Sequence, residues 1–246
     1  AEIVDLVNKH ADYFIVNIQY SYGRTLSIGV KPDKLVKVIG CVDCNIFYPA
    51  PESLRETINV LTAARFVTFK GWEYSLQAVQ QARRKGTNFQ YLIVGDGPER
   101  EIIEQMIVDI RLDNVQLLGA QRIEQMPTYF RIADIFLHMP IHLKKHERGS
   151  SYVHTETMGR SLCEASASGL PIVTSQVGGV PEIVQDGETG FLVPERDYTA
   201  AAKRLVELIN DPTTRRAMGA KGRTRTETLF DWEHIWPIYQ EILRSV

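Results

Sequence analysis

The chain has 246 residues, 44% of them hydrophobic and 24% charged, with 28 basic against 30 acidic side chains. At roughly 150 residues per domain this is about 1.6 domains' worth, enough to bury a core without disulfide or metal staples. The values exclude disorder, collagen and low-complexity scaffolds, and the net charge of −2 excludes a strong global field for nucleic acid. No apolar run approaches the ~18 residues of a membrane helix; Tyr91-Leu92-Ile93-Val94, for example, stops at Gly95. Three cysteines, Cys41, Cys44 and Cys163, suit a reducing compartment better than a disulfide framework, so a cytoplasmic protein is expected. Cys41-x-x-Cys44 has no second pair and is read as two buried thiols rather than a zinc or redox motif.

In chain order, the acidic amphipathic opening differs from the basic-then-apolar build of a signal peptide. It reads as a helix entered part-way, with apolar positions at Ile3, Leu6 and Val7, as if inside a longer protein. A strand over 13–16, a second helix near 24–28 and a short strand over 35–39 follow, then the linker Pro49-Ala50-Pro51. From residue 59, β-branched runs alternate with segments of helical period, the pattern of a parallel sheet covered by helices. Strands are predicted over 60–66, 89–94, 115–118, 135–137, 171–174 and 190–193, and helices over 72–85, 98–110, 122–133, 159–168, 181–184 and 198–210. Asp211-Pro212 breaks the helix before it, and two helices follow, the last over 232–243 and bent at Pro237. Its aromatics Phe230, Trp232, Trp236 and Tyr239 read as a packing face. Such a doubly wound sheet binds ligands beyond the carboxyl ends of its strands.

The most informative segment is Glu156-Thr-Met-Gly159-Arg160-Ser161-Leu-Cys-Glu164. Gly159 opens a helix between two glutamates eight positions apart, so Glu156 falls in the preceding loop and Glu164 on the second turn. The free N–H groups of residues 159–161 and the partial positive charge of the helix start form an anion site. A ligand with phosphates docked there presents hydroxyls to one glutamate on each flank, a socket for a sugar joined to a ribose by a diphosphate. Taken alone, both glutamates would be solvated helix-end charges.

They do not stand alone. The segment resembles the Glu-x7-Glu motif of retaining, GT-B-fold glycosyltransferases of family 4 (glycosyl transferases group 1), and other stretches fit that family in order. These are Ala64-Arg65-Phe66 with Lys70-Gly71, Val94-Gly95-Asp96-Gly97-Pro98, Val115-Gln-Leu-Leu-Gly119, Ala133-Asp134-Ile-Phe, Gly178-Gly179-Val180-Pro181-Glu182-Ile183 and Asp186-Gly187-Glu-Thr-Gly190-Phe191-Leu192-Val193. The resemblance implies an α/β, doubly wound, Rossmann-like sheet, the C-terminal domain of a GT-B enzyme. Residues 1–50 are then the tail of an N-terminal acceptor domain and linker, 51–230 the nucleotide-sugar domain and 231–246 a C-terminal crossover helix.

What the family implies carries over residue by residue. Glu164 matches the glutamate that binds the ribose hydroxyls, and Glu156 the one that contacts the transferred sugar. Arg65 and Lys70 match the basic pair that neutralises the donor diphosphate, and Gly119 begins the loop that meets the base; beside these, the helix start at Gly159, Arg160 and Ser161 offers its N–H groups to the phosphates, and the Arg160 side chain, which the family does not supply, is read as a third phosphate ligand or an acceptor contact. The expected activity is transfer of a hexose from a nucleoside-diphosphate sugar to a glycan, lipid or other hydroxyl acceptor, with this chain supplying donor binding. A donor-binding subunit of a split transferase and a GT-B-type nucleotide-sugar epimerase are the alternatives. The expected partners are the nucleoside-diphosphate sugar, an unknown acceptor, and the missing N-terminal domain or a separate subunit, through which any peripheral membrane association would run. No cofactor and no metal are expected, for there is no Asp-x-Asp pair to hold one.

Several positions depart from the family. Ala64 stands for its usual glycine, Thr157-Met158 for Gly-Phe, Arg160 for an apolar residue and Gly40-Cys41 for Asn-Gly. Segment 141–155 is longer and more basic than the common connection, with Lys144, Lys145 and Arg148. It is read as a loop contacting donor or acceptor; His142 and His146 would suit a metal only on a helix. Gly95-Asp96-Gly97 lacks the third glycine of a dinucleotide fingerprint, Arg100 standing there, and reads as a tight turn.

Overall fold

The structure, a computed structural model, describes residues 2–51, 57–147 and 150–245, without the side chains of Glu147 and Ser150. Arg148 therefore lies outside the described residues. The N-terminal stretch forms α1 (Glu2–His10), β1 (Phe14–Val16), α2 (Gln19–Ser27) and β2 (Leu35–Lys37), with β1 and β2 parallel. Helix α2 begins five residues before the predicted start at residue 24. Its N–H groups at Gln19 and Tyr20 donate to the Glu182 carboxylate at 2.7 and 2.9 Å, a cap 162 residues away in the chain that no local pattern announces.

The main body runs β3 (Ile58–Ala63), α3 (Trp72–Arg84), β4 (Phe89–Val94), α4 (Arg100–Asp109), β5 (Val115–Gly119), α5 (Met126–Ile132) and β6 (Ile135–His138). The hairpin β7 (Leu143–Glu147) and β8 (Ser150–His154) follows, then α6 (Arg160–Ala167), β9 (Ile172–Ser175), α7 (Val180–Ile183), β10 (Gly190–Val193) and α8 (Tyr198–Asn210). The chain closes with α9 (Pro212–Leu229) and α10 (Trp232–Arg244), which contains Pro237. Asp211 and Asp231 cap these two helices with their side chains, as expected of Asp at a helix start. No helix among the described residues is long and apolar enough to cross a membrane.

Six strands pair in parallel in the order β10-β9-β6-β3-β4-β5. The inner strands β6 and β9 are buried at every position, which is why they read as continuous apolar runs rather than alternations. One core lies between the sheet and α3, α4 and α8; the other lies under α5, α6 and α7 and takes in Ile18, Val42, Cys44 and Phe47. Strand β3 ends at Ala63, short of the predicted residue 66, because Phe66 N–H turns to the carbonyl of Asp96 at 2.9 Å.

The expected loop at 141–155 is replaced by the β7–β8 hairpin, with Leu143 opposite His154 and Lys145 opposite Tyr152. Its exposed lysines disguised a strand pair that a cross-strand ladder and a stack of His154 on Phe69, 5.7 Å between centroids, hold in place. Strand geometry also separates His142 from His146. His142 Nδ1 meets Glu195 at 2.9 Å and His146 Nδ1 meets Ser151 at 2.7 Å.

Candidate functional site

From β3 the chain moves outward to β4 and β5, then returns to β6 on the other side of β3. The strand order therefore reverses between β3 and β6, and an open α/β sheet leaves a crevice at the carboxyl ends of such a pair. Three segments converge there: the β3–α3 connection, the end of β6, and the loop before α6.

Lys70 ends a single 3-10 turn, Thr68–Lys70. The turn can sit against β6 because the next residue is glycine: Gly71 has φ +67°, and a Cβ there would stand 1.7 Å from the Met139 carbonyl oxygen. The Ile141 N–H donating to the Phe69 carbonyl at 2.8 Å closes the same contact. Glu156 is held from below by the Gly178-Gly179 turn. Gly178 has φ +53°, and a Cβ on it would come within 1.9 Å of the Glu156 carbonyl oxygen, while Gly179 N–H donates to that oxygen at 3.1 Å. Met158 packs its sulfur against Gly40, where a Cβ would lie 1.8 Å away. The N-terminal segment thus braces the same loop.

Glu156 Oε2 lies 2.5 Å from Lys70 Nζ and 2.9 Å from His138 Nε2. Burial pushes the Glu156 carboxyl up, but the hydrogen bond from His138 and the charge and hydrogen bond of Lys70 outweigh it and hold the group well below the ordinary carboxyl value. His138, wholly buried, is pushed below the ordinary histidine value, first by desolvation, against its bond to Glu156. Because a carboxylate only accepts, the imidazole donates from Nε2. His138 Nδ1 then remains a buried nitrogen with no hydrogen-bond partner among the described residues.

Glu164 is different. Its side chain is 14% exposed, and its charged neighbour is the exposed Arg160, 3.8 Å away and beyond hydrogen-bond reach. Burial raises its carboxyl above the ordinary value, with Arg160 opposing. Gly159 caps α6, and the N–H groups of Gly159, Arg160 and Ser161 donate to no acceptor among the described residues. A pocket of about 460 Å³ opens beside Glu164 and Arg160, walled by Cys41, Ile123, Glu124 and Trp232. A hollow of about 510 Å³ lies at the amino ends of the strands, between Pro49, Asp134 and Arg215, the end of the sheet remote from this crevice.

Among the residues predicted from sequence, the structure joins Lys70 to Glu156 directly and sets Glu164, Gly159, Arg160 and Ser161 on one helix start. Arg65 sits on the β3–α3 connection, exposed, its side chain without a hydrogen bond or ion pair among the described residues, its carbonyl accepting from Trp72 Nε1 at 3.2 Å. Gly119 ends β5 and accepts the Gly95 N–H at 2.9 Å. The Gly95–Gly97 stretch is not itself the expected tight turn, which falls at Pro98–Glu99; its glycines instead let the backbone lie against 64–66, where a Cβ on Gly95 would come within 1.9 Å of the Ala64 carbonyl oxygen. No group of three or more His, Cys, Asp or Glu that could hold a metal occurs among the described residues. His138 is the residue that sequence reading missed. Its signal was a titratable side chain closing the apolar run Ile135-Phe136-Leu137, where a strand end meets the crevice.

Comparison with known proteins places this geometry. Residues 50–225 match the family model "Glycosyl transferases group 1". A GDP-mannose-dependent alpha-(1-6)-phosphatidylinositol monomannoside mannosyltransferase of Mycobacterium tuberculosis is 30% identical over 214 residues, 83% of this chain and 54% of that protein. A putative colanic acid biosynthesis glycosyltransferase of Salmonella typhimurium, WcaL, is 29% identical over 75% of this chain and 44% of its own length. HepE of Anabaena, solved in complex with UDP, superposes with a TM-score of 0.84 at 23% identity, covering 99% of this chain and 66% of that one. The chain spans about half the length of the curated relatives it matches. With the family model matched over most of its length and the parallel sheet shared with GT-B structures, the chain belongs to the glycosyl transferases group 1 family.

Proposed function

We propose that this chain supplies the donor-binding half of a retaining glycosyltransferase that moves a hexose from a nucleoside-diphosphate sugar to a hydroxyl acceptor. The observation that carries the reading is the pairing of a clamped, ionised Glu156 with a partly buried, underbonded Glu164 on either side of the free α6 start. Glu164 faces the pocket with acceptor capacity unspent, which fits two ribose hydroxyls. The α6 N–H groups, Arg160, Arg65 and Lys70 take the diphosphate. Glu156 accepts from the transferred sugar.

Cleaving the sugar–diphosphate bond moves negative charge onto the leaving phosphate. Cations and N–H dipoles fixed there stabilise the transition state more than the ground state. In an enzyme completed by its acceptor domain, loss of Lys70 is expected to raise the barrier on the order of 3 kcal/mol, about 100-fold in rate. Relatives use GDP-mannose, and a structural neighbour was solved with UDP, so these define the first probes. The test is titration calorimetry of the folded chain with UDP, GDP, UDP-glucose and GDP-mannose. Binding of at least one, weakened by Glu164→Ala, supports the reading; no binding of any nucleoside diphosphate or nucleotide sugar overturns it.

A further inference from the structure

The Lys70–Glu156 pair poses a difficulty for the donor site. Lys70 is asked to serve two anions, the Glu156 carboxylate it touches at 2.5 Å and the diphosphate it is placed beside. A lysine stem is flexible, and a single ammonium contact does not fix the plane of a carboxylate, whose terminal torsion is broad and two-fold. His138 resolves both problems. It ends the central strand β6, is fully buried and pairs in register with Thr174 of β9, so its ring cannot follow a ligand. Its Nε2 approaches the same Oε2 that Lys70 touches. Two donors, one from the β3–α3 connection and one from the end of β6, both meet Oε2, and neither engages Oε1.

We propose that His138 is a positioning residue: as a neutral Nε2–H donor it keeps Glu156 ionised and turned, with Oε1 toward the donor sugar, when Lys70 engages the diphosphate. The inference rests on the reading of Glu156 as the sugar contact. The charged or titratable groups that bear on the ring are Lys70 and Glu156; the strand partner, Thr174, is neutral. The orphaned Nδ1 supports the neutral form independently. A lone pair buried without a partner costs less than the buried, unpaired N–H that an imidazolium would have there. Depression of the His138 value by burial agrees with this.

Two measurements test the proposal. The first needs no ligand: NMR of the chain labelled at histidine nitrogens and glutamate carboxyls. His138 is expected as the Nε2–H tautomer, its protonation midpoint below the ordinary 6.5, with Glu156 ionised through pH 4. In His138→Leu the Glu156 midpoint moves upward, and in His138→Gln, whose amide can donate from a similar reach, most of that movement is reversed. A His138 that titrates near 6.5, an Nδ1–H tautomer, or a Glu156 midpoint indifferent to His138→Leu overturns the proposal, the first two in the unaltered chain even if a variant does not fold.

The second measurement compares the Kd of UDP with that of UDP-glucose, and of GDP with that of GDP-mannose. His138→Leu is expected to leave nucleoside-diphosphate binding within about twofold while shifting the ratio at least tenfold against the sugar nucleotide, with His138→Gln restoring it to within threefold. Equal ratios in all three proteins overturn the proposal. Failure of the unaltered chain to bind any of the four probes overturns the donor-site reading instead, and the NMR result still decides the role of His138.

Discussion

Glu156 and Glu164 are eight residues apart, both largely buried, and opposite in their electrostatics. Glu156 has two donors at 2.5 and 2.9 Å on one oxygen and sits well below the ordinary carboxyl value; Glu164 has a guanidinium 3.8 Å away and sits above it. The first is organised before any ligand arrives, because strands β3 and β6 deliver its partners. The second receives no hydrogen bond among the described residues, so its charge is costly until a ligand provides donors. Preorganisation on the sugar side and unmet demand on the ribose side follow from which strand ends face each residue.

The comparison breaks most visibly on removing one member of the clamped pair. Glu156→Ala leaves the Lys70 ammonium, whose side chain is 17% exposed, without its partner. A loss of about 3 kcal/mol of unfolding free energy is expected in urea titrations, the low end for a buried pair because Lys70 keeps some water. A loss below about 1 kcal/mol would mean that the clamp contributes little to the fold. Glu164→Gln should do the opposite to stability, raising the thermal midpoint by removing a desolvated charge, while weakening nucleoside-diphosphate binding about 10- to 100-fold through lost hydrogen bonds to a charged acceptor. Equal destabilisation by both substitutions would erase the contrast.

Acid titration separates the two sites further. The folded values of His138 and Glu156 lie below their ordinary 6.5 and 4.5, so the stability each contributes is present above that ordinary value and lost as pH falls below it. Glu164 lies above 4.5, so its cost is felt at neutral pH and relieved as pH falls through its folded value. Urea midpoints should therefore decline between pH 7 and pH 5 in the unaltered chain and decline less in His138→Gln. Glu164→Gln should remove the opposing contribution and steepen the decline at lower pH. The smallest expected effect is a proton released from Glu164 on nucleotide binding at pH above 4.5, where its raised carboxyl is still partly protonated, visible as a dependence of calorimetric enthalpy on buffer ionisation enthalpy; no buffer dependence at any pH between 4.5 and neutrality would contradict ligand donors reaching Glu164.

Much of this molecule is written locally. The β-branched runs at 89–94 and 190–193 and the periodic segment at 198–210 became β4, β10 and α8 at their predicted bounds, because apolar periodicity and nearby Gly, Asp and Pro act within a few residues. The two glutamates, Lys70 and the Gly159 cap were also legible, since the spacing of a loop–helix junction is a property of consecutive residues. The hairpin at 143–154 was hidden by its lysines, and the start of α2 by a cap from Glu182. His138 was passed over because a histidine ending an apolar run has no local meaning.

The sequence by itself determined an α/β chain with a helix start flanked by two carboxylates, features that depend on neighbours along the backbone. Tertiary structure alone decided that the two carboxylates differ. Which one receives donors depends on the reversal of strand order between β3 and β6, which brings Lys70 and His138, 68 residues apart in the chain, to one oxygen of Glu156 and leaves Glu164 facing the pocket. Burial and hydrogen bonding set a carboxylate's charge, and both belong to the fold rather than to the segment that carries it.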